Sequence, residues 1–205
     1  MELPTRGQLR AGEPAAFGLL FDAFAGVVHR HAVRRTGDWA TAEEVVSLTF
    51  LEAWRLRERL LPEGDSPLPW LLGIATNVLR NMSRAARRHR DALQRLPARQ
   101  GVPDFADDLV DRMHDESRLA AVQRALGRLR RHEQEVFMLC VWNGLDYAAA
   151  AEALGVPVGT VRSRLSRARD RLRQFVDAGR EPATGYGQLD GGRASVARST
   201  QENRR

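Results

Sequence analysis

From Thr160 to Arg173 the chain carries six arginines against a single acid, Asp170, with Ser163 and Ser166 set among them. Arginine presents a planar fork of donors suited to phosphate oxygens and guanine edges. On a helix turning about 100° per residue, Val161, Leu165, Ala168 and Leu172 gather on one side. Ser163, Ser166, Arg167 and Asp170 point the other way, flanked by Arg162 and Arg169 on one edge and Arg164 and Arg171 on the other. The chemistry predicted is non-covalent recognition of a polyanion. Arg162, Ser163, Ser166 and Arg167, near the helix start, are placed to read base edges, and Arg169 and Arg171 to meet phosphates. A solvated basic face is the plain alternative, but short hydroxyls between arginines allow the close approach that a DNA groove demands.

Other chemistries find no residues to carry them. His29, His31, His89, His114 and His132 form no metal-binding spacing, and the two histidines of the HRH triplet at 29–31 fall on different helix faces. The chain has no glycine-rich phosphate loop, nucleophile elbow or pair of catalytic carboxylates. The expectation is a protein that is not an enzyme, with no cofactor, metal or small-molecule substrate. Cys140, the single cysteine, cannot form an internal disulfide, and its apolar setting VFMLCVW predicts a buried structural thiol.

Composition agrees with a polyanionic partner. The 205 residues carry a net charge of +6 with 43% apolar residues, enough for a core. All 32 basic residues are arginine, which a genomic codon bias would also produce. Seven arginines between Arg80 and Arg99 face only Asp91, and an acidic stretch with Asp104, Asp107, Asp108, Asp111, Asp115 and Glu116 follows. Two basic blocks therefore flank an acidic connector. No apolar run reaches the roughly 18 residues of a membrane span, and the first twenty residues lack signal-peptide character, so a cytoplasmic protein is expected.

The elements that must position these residues read as helices throughout. Phe17, Leu20, Phe21, Phe24, Val27, Val28 and His31 recur at helical spacing and predict one amphipathic helix ending near Thr36-Gly37-Asp38. A second is predicted from about Thr41, a candidate N-cap, with Val45, Leu48, Leu51 and Trp54 inward. LPEGDSPLP, residues 61–69, is a loop. From Trp70 a third helix sets Leu71, Ile74, Val78 and Met82 on one stripe and turns cationic toward its end. Residues from about Pro97 to Ser117 read as a linker. A second helical unit starts near Arg118, with Leu119, Val122, Leu126 and Leu129 periodic, followed by the run Val136 to Val141. Beyond Ala178 the composition predicts a disordered tail.

Just before the arginine-rich helix, YAAAAEALGVPVGTV has the layout of a helix-turn-helix. Small Ala151 admits a close helix crossing, Gly155 suits the left-handed turn, and Val161 anchors the second helix on the first. Pro157 stands where that second helix begins and where a missing N–H costs little.

The ordered motifs GDWATAEEVVSLTFLEAW, WLLGIATNVLRNMSRAARR and ALGRLRRHEQEVFMLCVWNGLDYAAAAEALGVPVGTVRSRLSRARDRL resemble the extracytoplasmic-function sigma factors of bacterial RNA polymerase. The resemblance covers roughly Phe17 to Arg173 and rests on all three motifs in this order. It implies an all-α fold of two small helical domains joined by a flexible acidic linker. Residues 1–96 would bind core polymerase and recognise and melt the −10 element, and 97–117 would be the linker. Residues 118–177 would read the −35 element through the helix-turn-helix and bind the polymerase flap on the second subunit, with 178–205 a disordered tail. The resemblance further implies that Glu43, Glu44, Ser47, Leu48 and Leu51, on the helix from Ala42 to Arg55, dock on the clamp helices of the largest subunit. It assigns −10 contacts to Asp65 and Ser66 in the loop and to Trp70, Asn77, Arg80, Asn81 and Arg84 on the next helix. Amide side chains suit the edges of flipped bases, and a loop beside a cationic helix suits an unstacked strand. It also implies an anti-sigma partner and association with the nucleoid when polymerase is bound.

Departures from the family pattern stand at Ser47 and Leu48, where a Gln and an acid are usual, and at Ala149 and Ala150, where a Glu and an Ile usually follow the tyrosine. A free-standing DNA-binding regulator is the competing expectation. Against it, no heptad seam for self-association follows the reader helix.

Overall fold

The computed structural model describes residues 3–93 and 123–178, and all regular structure among them is helical. The predicted linker at 97–117, Leu119, Val122 and the tail beyond Ala178 lie outside the described residues.

A short helix, α1 (Arg6–Ala11), opens the first unit. Thr5 and Gln8 cap it reciprocally, and Leu9 is fully buried in the core. Helix α2 (Pro14–Thr36) begins with a proline, whose absent N–H is harmless in a first turn, and stops where the sequence predicts. There Gly37 takes the left-handed conformation, φ 75°, and donates its N–H to the Val33 carbonyl at 2.7 Å.

Helix α3 (Trp39–Leu56) starts earlier than expected. Asp38, not Thr41, is the N-cap, and its carboxylate accepts the Thr41 N–H at 2.8 Å. Hydrogen bonds from the Thr41 side chain and then its backbone hold the Asp38 carboxyl below its usual range. The inward stripe is also corrected. Ala42, Val45, Thr49 and Ala53 are buried, whereas Leu48, Leu51 and Trp54 are exposed, as is Phe21 on α2. Leu48 and Leu51 lie about 60° and 120° around the helix from Val45, on the side away from Thr49 and Ala53. Small side chains allow α2 and α3 to approach, so packing selected them over the larger apolar residues. The exposed Leu48–Leu51 edge is left without a partner among the described residues.

A 3-10 turn (Arg57–Arg59) and the loop lead to α4 (Leu68–Leu93), which has two buried sides. Leu71, Ile74, Ala75, Val78 and Leu79 complete the first core, with Met82 at its margin. Leu72 points instead into the second unit, where it packs with Val136, Leu139, Ala150, Val161 and Leu165.

That second unit consists of α5 (described over 123–127), α6 (Arg131–Phe137), its π-helical continuation Met138–Trp142, α7 (Tyr147–Leu154) and α8 (Val158–Ala178). Leu126, Leu129, Met138 and Ala168 form its distal core. Glu133, fully buried, accepts the Arg130 N–H at 2.9 Å and pairs with Arg171 at 3.2 Å, binding α6 to α8. The two units touch directly. Gly73 of α4 lies so close to α7 that a Cβ there would stand 2.3 Å from the Ala153 carbonyl oxygen.

Candidate nucleic-acid and polymerase interfaces

The helix-turn-helix forms from local chemistry. Asp146 caps α7 by accepting the Ala149 N–H at 2.7 Å. Ala150 is buried and Ala151 half-buried, so the alanine run presents a flat surface to its neighbours. Gly155 makes the turn at φ 63°, and the Pro157 carbonyl accepts the N–H groups of Thr160 and Val161. Val161, Leu165 and Ala168 are buried as predicted, with Leu172 half-buried below them.

Opposite that face Arg162, Ser163, Ser166, Arg167 and Arg169 are all exposed. The Ser163 hydroxyl donates to the Thr160 carbonyl at 3.1 Å, which leaves its oxygen lone pairs outward. The Arg162 guanidinium sits 5.8 Å from the Tyr147 ring centroid and is steadied there by cation–π attraction. Arg171 is placed differently from the other five: it is half-buried, and its charge is committed to Glu133. The desolvated carboxylate of Glu133 was not singled out by the sequence pattern, which shows only an acid within a helix.

On α4, Trp70, Asn77, Asn81 and Arg84 follow one another at spacings of seven, four and three, and so share a stripe. Asn77, Asn81 and Arg84 are exposed and Trp70 is half-buried. Asp65 is exposed in the loop, and Ser66 accepts the Leu68 N–H through its hydroxyl at 3.2 Å, starting α4. Arg80 lies beside this stripe but points at the second unit. Its Nε donates to Glu135 Oε1 at 2.7 Å, its second nitrogen bonds the other carboxylate oxygen, and Nη1 donates to Asn77 Oδ1 at 3.0 Å. Hydrogen bonding to Glu135 raises the Arg80 pKa further.

Around that ion pair His31, Arg35, Thr76, Arg131 and Met138 line a small cavity between the units. Burial, reinforced by Arg34 and Arg35, pushes the His31 pKa down to about 4, so the ring is neutral at pH 7. Its Nδ1 lies 3.0 Å from the Asn143 side-chain nitrogen. Burial also lowers the pKa of Arg35 and raises that of the Cys140 thiol, which packs half-buried against the second core.

On α3, Glu43, Glu44, Ser47, Leu48 and Leu51 are all exposed. The Ser47 hydroxyl donates back to the Glu43 carbonyl at 3.2 Å, so the face is more apolar than its letters suggest. Phe17 packs edge-on to Trp54 at 4.8 Å and Phe21 lies 4.9 Å from Phe50, extending that apolar edge onto α2. Among the described residues no cluster of three or more His, Cys, Asp or Glu is arranged to hold a metal ion.

Sequence reasoning missed the N-terminal brace. Arg6, 5% exposed, donates to the carbonyls of Leu61 at 3.3 Å and Ser66 at 2.6 Å, and pairs with Glu152 of α7 at 2.9 Å. Arg10 reaches the carbonyls of Glu58, at 2.6 Å, and Leu60. The one available signal was the Thr5–Gln8 capping pair, which marks a helix without revealing what its arginines hold.

Comparison with known proteins gives a consistent picture. Residues 20–89 match the family Sigma-70 region 2, and residues 119–172 match Sigma-70, region 4. The chain is 34% identical over 170 residues to the ECF RNA polymerase sigma factor SigL of Mycobacterium tuberculosis, covering 80% of this chain and 90% of that protein. It is 33% identical over 142 residues to the RNA polymerase sigma factor HrpL of Pseudomonas syringae pv. syringae, covering 66% of this chain and 73% of the other. Among solved structures, CnrH in complex with the cytosolic domain of CnrY superposes with a TM-score of 0.62 at 28% identity, covering 84% of this chain and 95% of that one. The sigma factor RpoE of Bartonella quintana, solved with the anti-sigma factor NepR, shares the fold with a TM-score of 0.57 at 23% identity over 80% of this chain and 98% of its own.

Proposed function

We propose, from the premise that this chain belongs to the extracytoplasmic-function sigma factors of bacterial RNA polymerase, a division of labour between its two helical units. The protein is a promoter-specificity factor that binds core polymerase and directs initiation at promoters with −35 and −10 elements. In our assignment residues 1–96 grip the clamp helices and open the −10 element. Residues 118–177 read the −35 duplex and meet the flap, and 97–117 connect them.

The observation that carries the −35 assignment is the exposed face Arg162, Ser163, Ser166, Arg167 on a helix anchored by buried Val161 and Leu165. Arginine forks supply bidentate base contacts, and the serines let the backbone approach the groove. Arg169 meets phosphate. Arg171 does so only if Glu133 releases it, so we place it at the edge of the interface. The −10 assignment rests on the stripe Trp70, Asn77, Asn81, Arg84 beside the loop bearing Asp65 and Ser66, where stacking and amide contacts suit a single strand. The clamp assignment rests on the exposed Glu43, Glu44, Ser47, Leu48, Leu51 face, where burial of Leu48 and Leu51 replaces the polar contacts usual in the family.

Geometry adds a requirement. Two elements centred about 25 base pairs apart are separated by about 85 Å of duplex at roughly 3.4 Å per pair. Units in direct contact cannot read both, so the Gly73–Ala153 packing must part on the promoter. The 29 residues between Leu93 and Gln123 reach about 100 Å when extended, which is sufficient.

No chemical step is assigned to the protein. Among the described residues no helix is long and apolar enough to cross a membrane, and we place the protein in the cytoplasm, with the nucleoid when polymerase is bound. An anti-sigma protein that covers the Leu48–Leu51 edge fits this reading. A pull-down from the host that recovers polymerase and no other protein would argue against it.

The test of the division of labour is reactivity of unpaired thymines in a promoter complex. Asn77→Ala is expected to lose −10 opening while retaining −35 protection; equal loss of both would remove Asn77 from the melting role.

A further inference from the structure

The loop assigned to −10 base capture is held by a residue outside both family matches. Arg6 lies on α1, with its side chain 4% exposed. Its two terminal nitrogens donate to the carbonyls of Leu61 and Ser66, at the two ends of the segment Pro62–Asp65. The backbone of Gly64, φ 115°, lies against the guanidinium, and a Cβ there would stand 2.8 Å from Arg6 Cζ. One helical turn on, Arg10 holds the carbonyls of Glu58 and Leu60. Leu9, fully buried between them, and the Thr5–Gln8 cap fix α1 itself.

We propose that Arg6 is a positioning residue for −10 specificity: its guanidinium clasps the 61–66 loop end to end, so that the loop meets the displaced strand in one conformation. The proposal rests on the assignment of that loop to base capture. Three features support it. A planar fork can bond two carbonyls at fixed angles, which an ammonium cannot. A buried cation divided between two carbonyls and the Glu152 carboxylate, with Nε unpartnered among the described residues, is a poor way to gain stability and a good way to fix one geometry. A short loop rich in proline and glycine otherwise has several turn conformations open to it, and each would offer bases a different edge. Selectivity for a read base therefore depends on a residue that touches no DNA.

The proposal separates from a structural role by its readout. Full-length chain with core polymerase is assayed on a parent promoter and on single-base −10 variants, with −35 duplex binding measured alongside. Arg6→Lys, which keeps charge and bulk, is expected to cut −10 discrimination from about tenfold to about twofold, with −35 binding unchanged. Gly64→Ala, which presses on the guanidinium and also strains the loop backbone at φ 115°, is expected to do the same and supports the clasp only alongside Arg6→Lys. Glu152→Gln, which removes the charge of the other partner of Arg6, is expected to leave discrimination intact.

Full discrimination in both Arg6→Lys and Gly64→Ala overturns the proposal. So does a proportionate fall on every −10 variant, the mark of a merely destabilised protein. Loss of discrimination in Glu152→Gln would show that Arg6 acts through the second unit instead. Replacement of residues 62–66 by a Gly-Ser stretch guards the premise: if it too leaves −10 discrimination unchanged, the loop assignment fails rather than the clasp.

Discussion

Arg80 Nε donates to Glu135 Oε1 across 2.7 Å, and this pair joins the helix assigned to the −10 element to the second helical unit. The arginine is not free for DNA while it holds. The pair is only partly shielded, with the Arg80 side chain 27% exposed, so it stabilises the closed packing by about 1 kcal/mol. Glu135→Gln is expected to shift the closed-to-open balance about fivefold toward open, read as a longer distance between dyes placed on the two units. An unchanged distance distribution would mean that Arg80 and Glu135 do not help to hold the units together.

Gly73 tests the same packing by sterics. Gly73→Ala sets a methyl against the Ala153 carbonyl oxygen, a backbone atom that cannot rotate away. Overpacking of this kind costs about 1–3 kcal/mol, and here it falls on the contact between units. The expected result is a larger radius of gyration in solution scattering with the helical content of each unit retained. An unchanged radius would contradict the closed packing.

Arg162→Ala and Arg167→Ala should each lower affinity for the preferred −35 duplex by about 1–3 kcal/mol and relax discrimination at one base position. Arg169→Ala should instead weaken all duplexes alike and reduce the salt dependence, as a phosphate contact does. Band-shift titrations on matched and mutated −35 duplexes distinguish these patterns. Base-independent loss in all three variants would reassign the face to non-specific binding.

His31 predicts a pH dependence. Its folded pKa of about 4 lies below the ordinary value of 6.5. As pH falls the unfolded chain therefore takes up the proton first, and the stability due to neutral His31 declines from about pH 6.5 to about pH 4, then levels off. The groups facing it are Arg34 and Arg35 on its own helix, Asn143 opposite, and Arg80, Arg131 and Glu135 around the cavity. Denaturant unfolding at pH 7 and pH 5 should show a drop in the wild type that His31→Gln diminishes. An equal drop in both would place the pH sensitivity elsewhere.

Much of this molecule was legible in its letters. Gly37 and Gly155 marked turns because only glycine takes the left-handed conformation there without strain, and both helices end at them. Val161, Leu165 and Ala168 announced the inner face of α8 through simple helical spacing. Periodicity failed on α3, where two apolar stripes compete and the smaller residues won the interior, leaving Leu48 and Leu51 outside. It also could not reveal partners distant in sequence. Arg171 with Glu133, Arg80 with Glu135 and Arg6 with the 61–66 loop are set by tertiary packing, and an arginine destined for a carboxylate looks like one destined for DNA.

The most direct test of the central claim is run-off transcription with core polymerase freed of other sigma factors and a genomic promoter library. A sigma factor of this kind yields starts that depend on the added chain and share −35 and −10 sequences at fixed spacing. Duplex binding by the chain with no core association and no starts would contradict it.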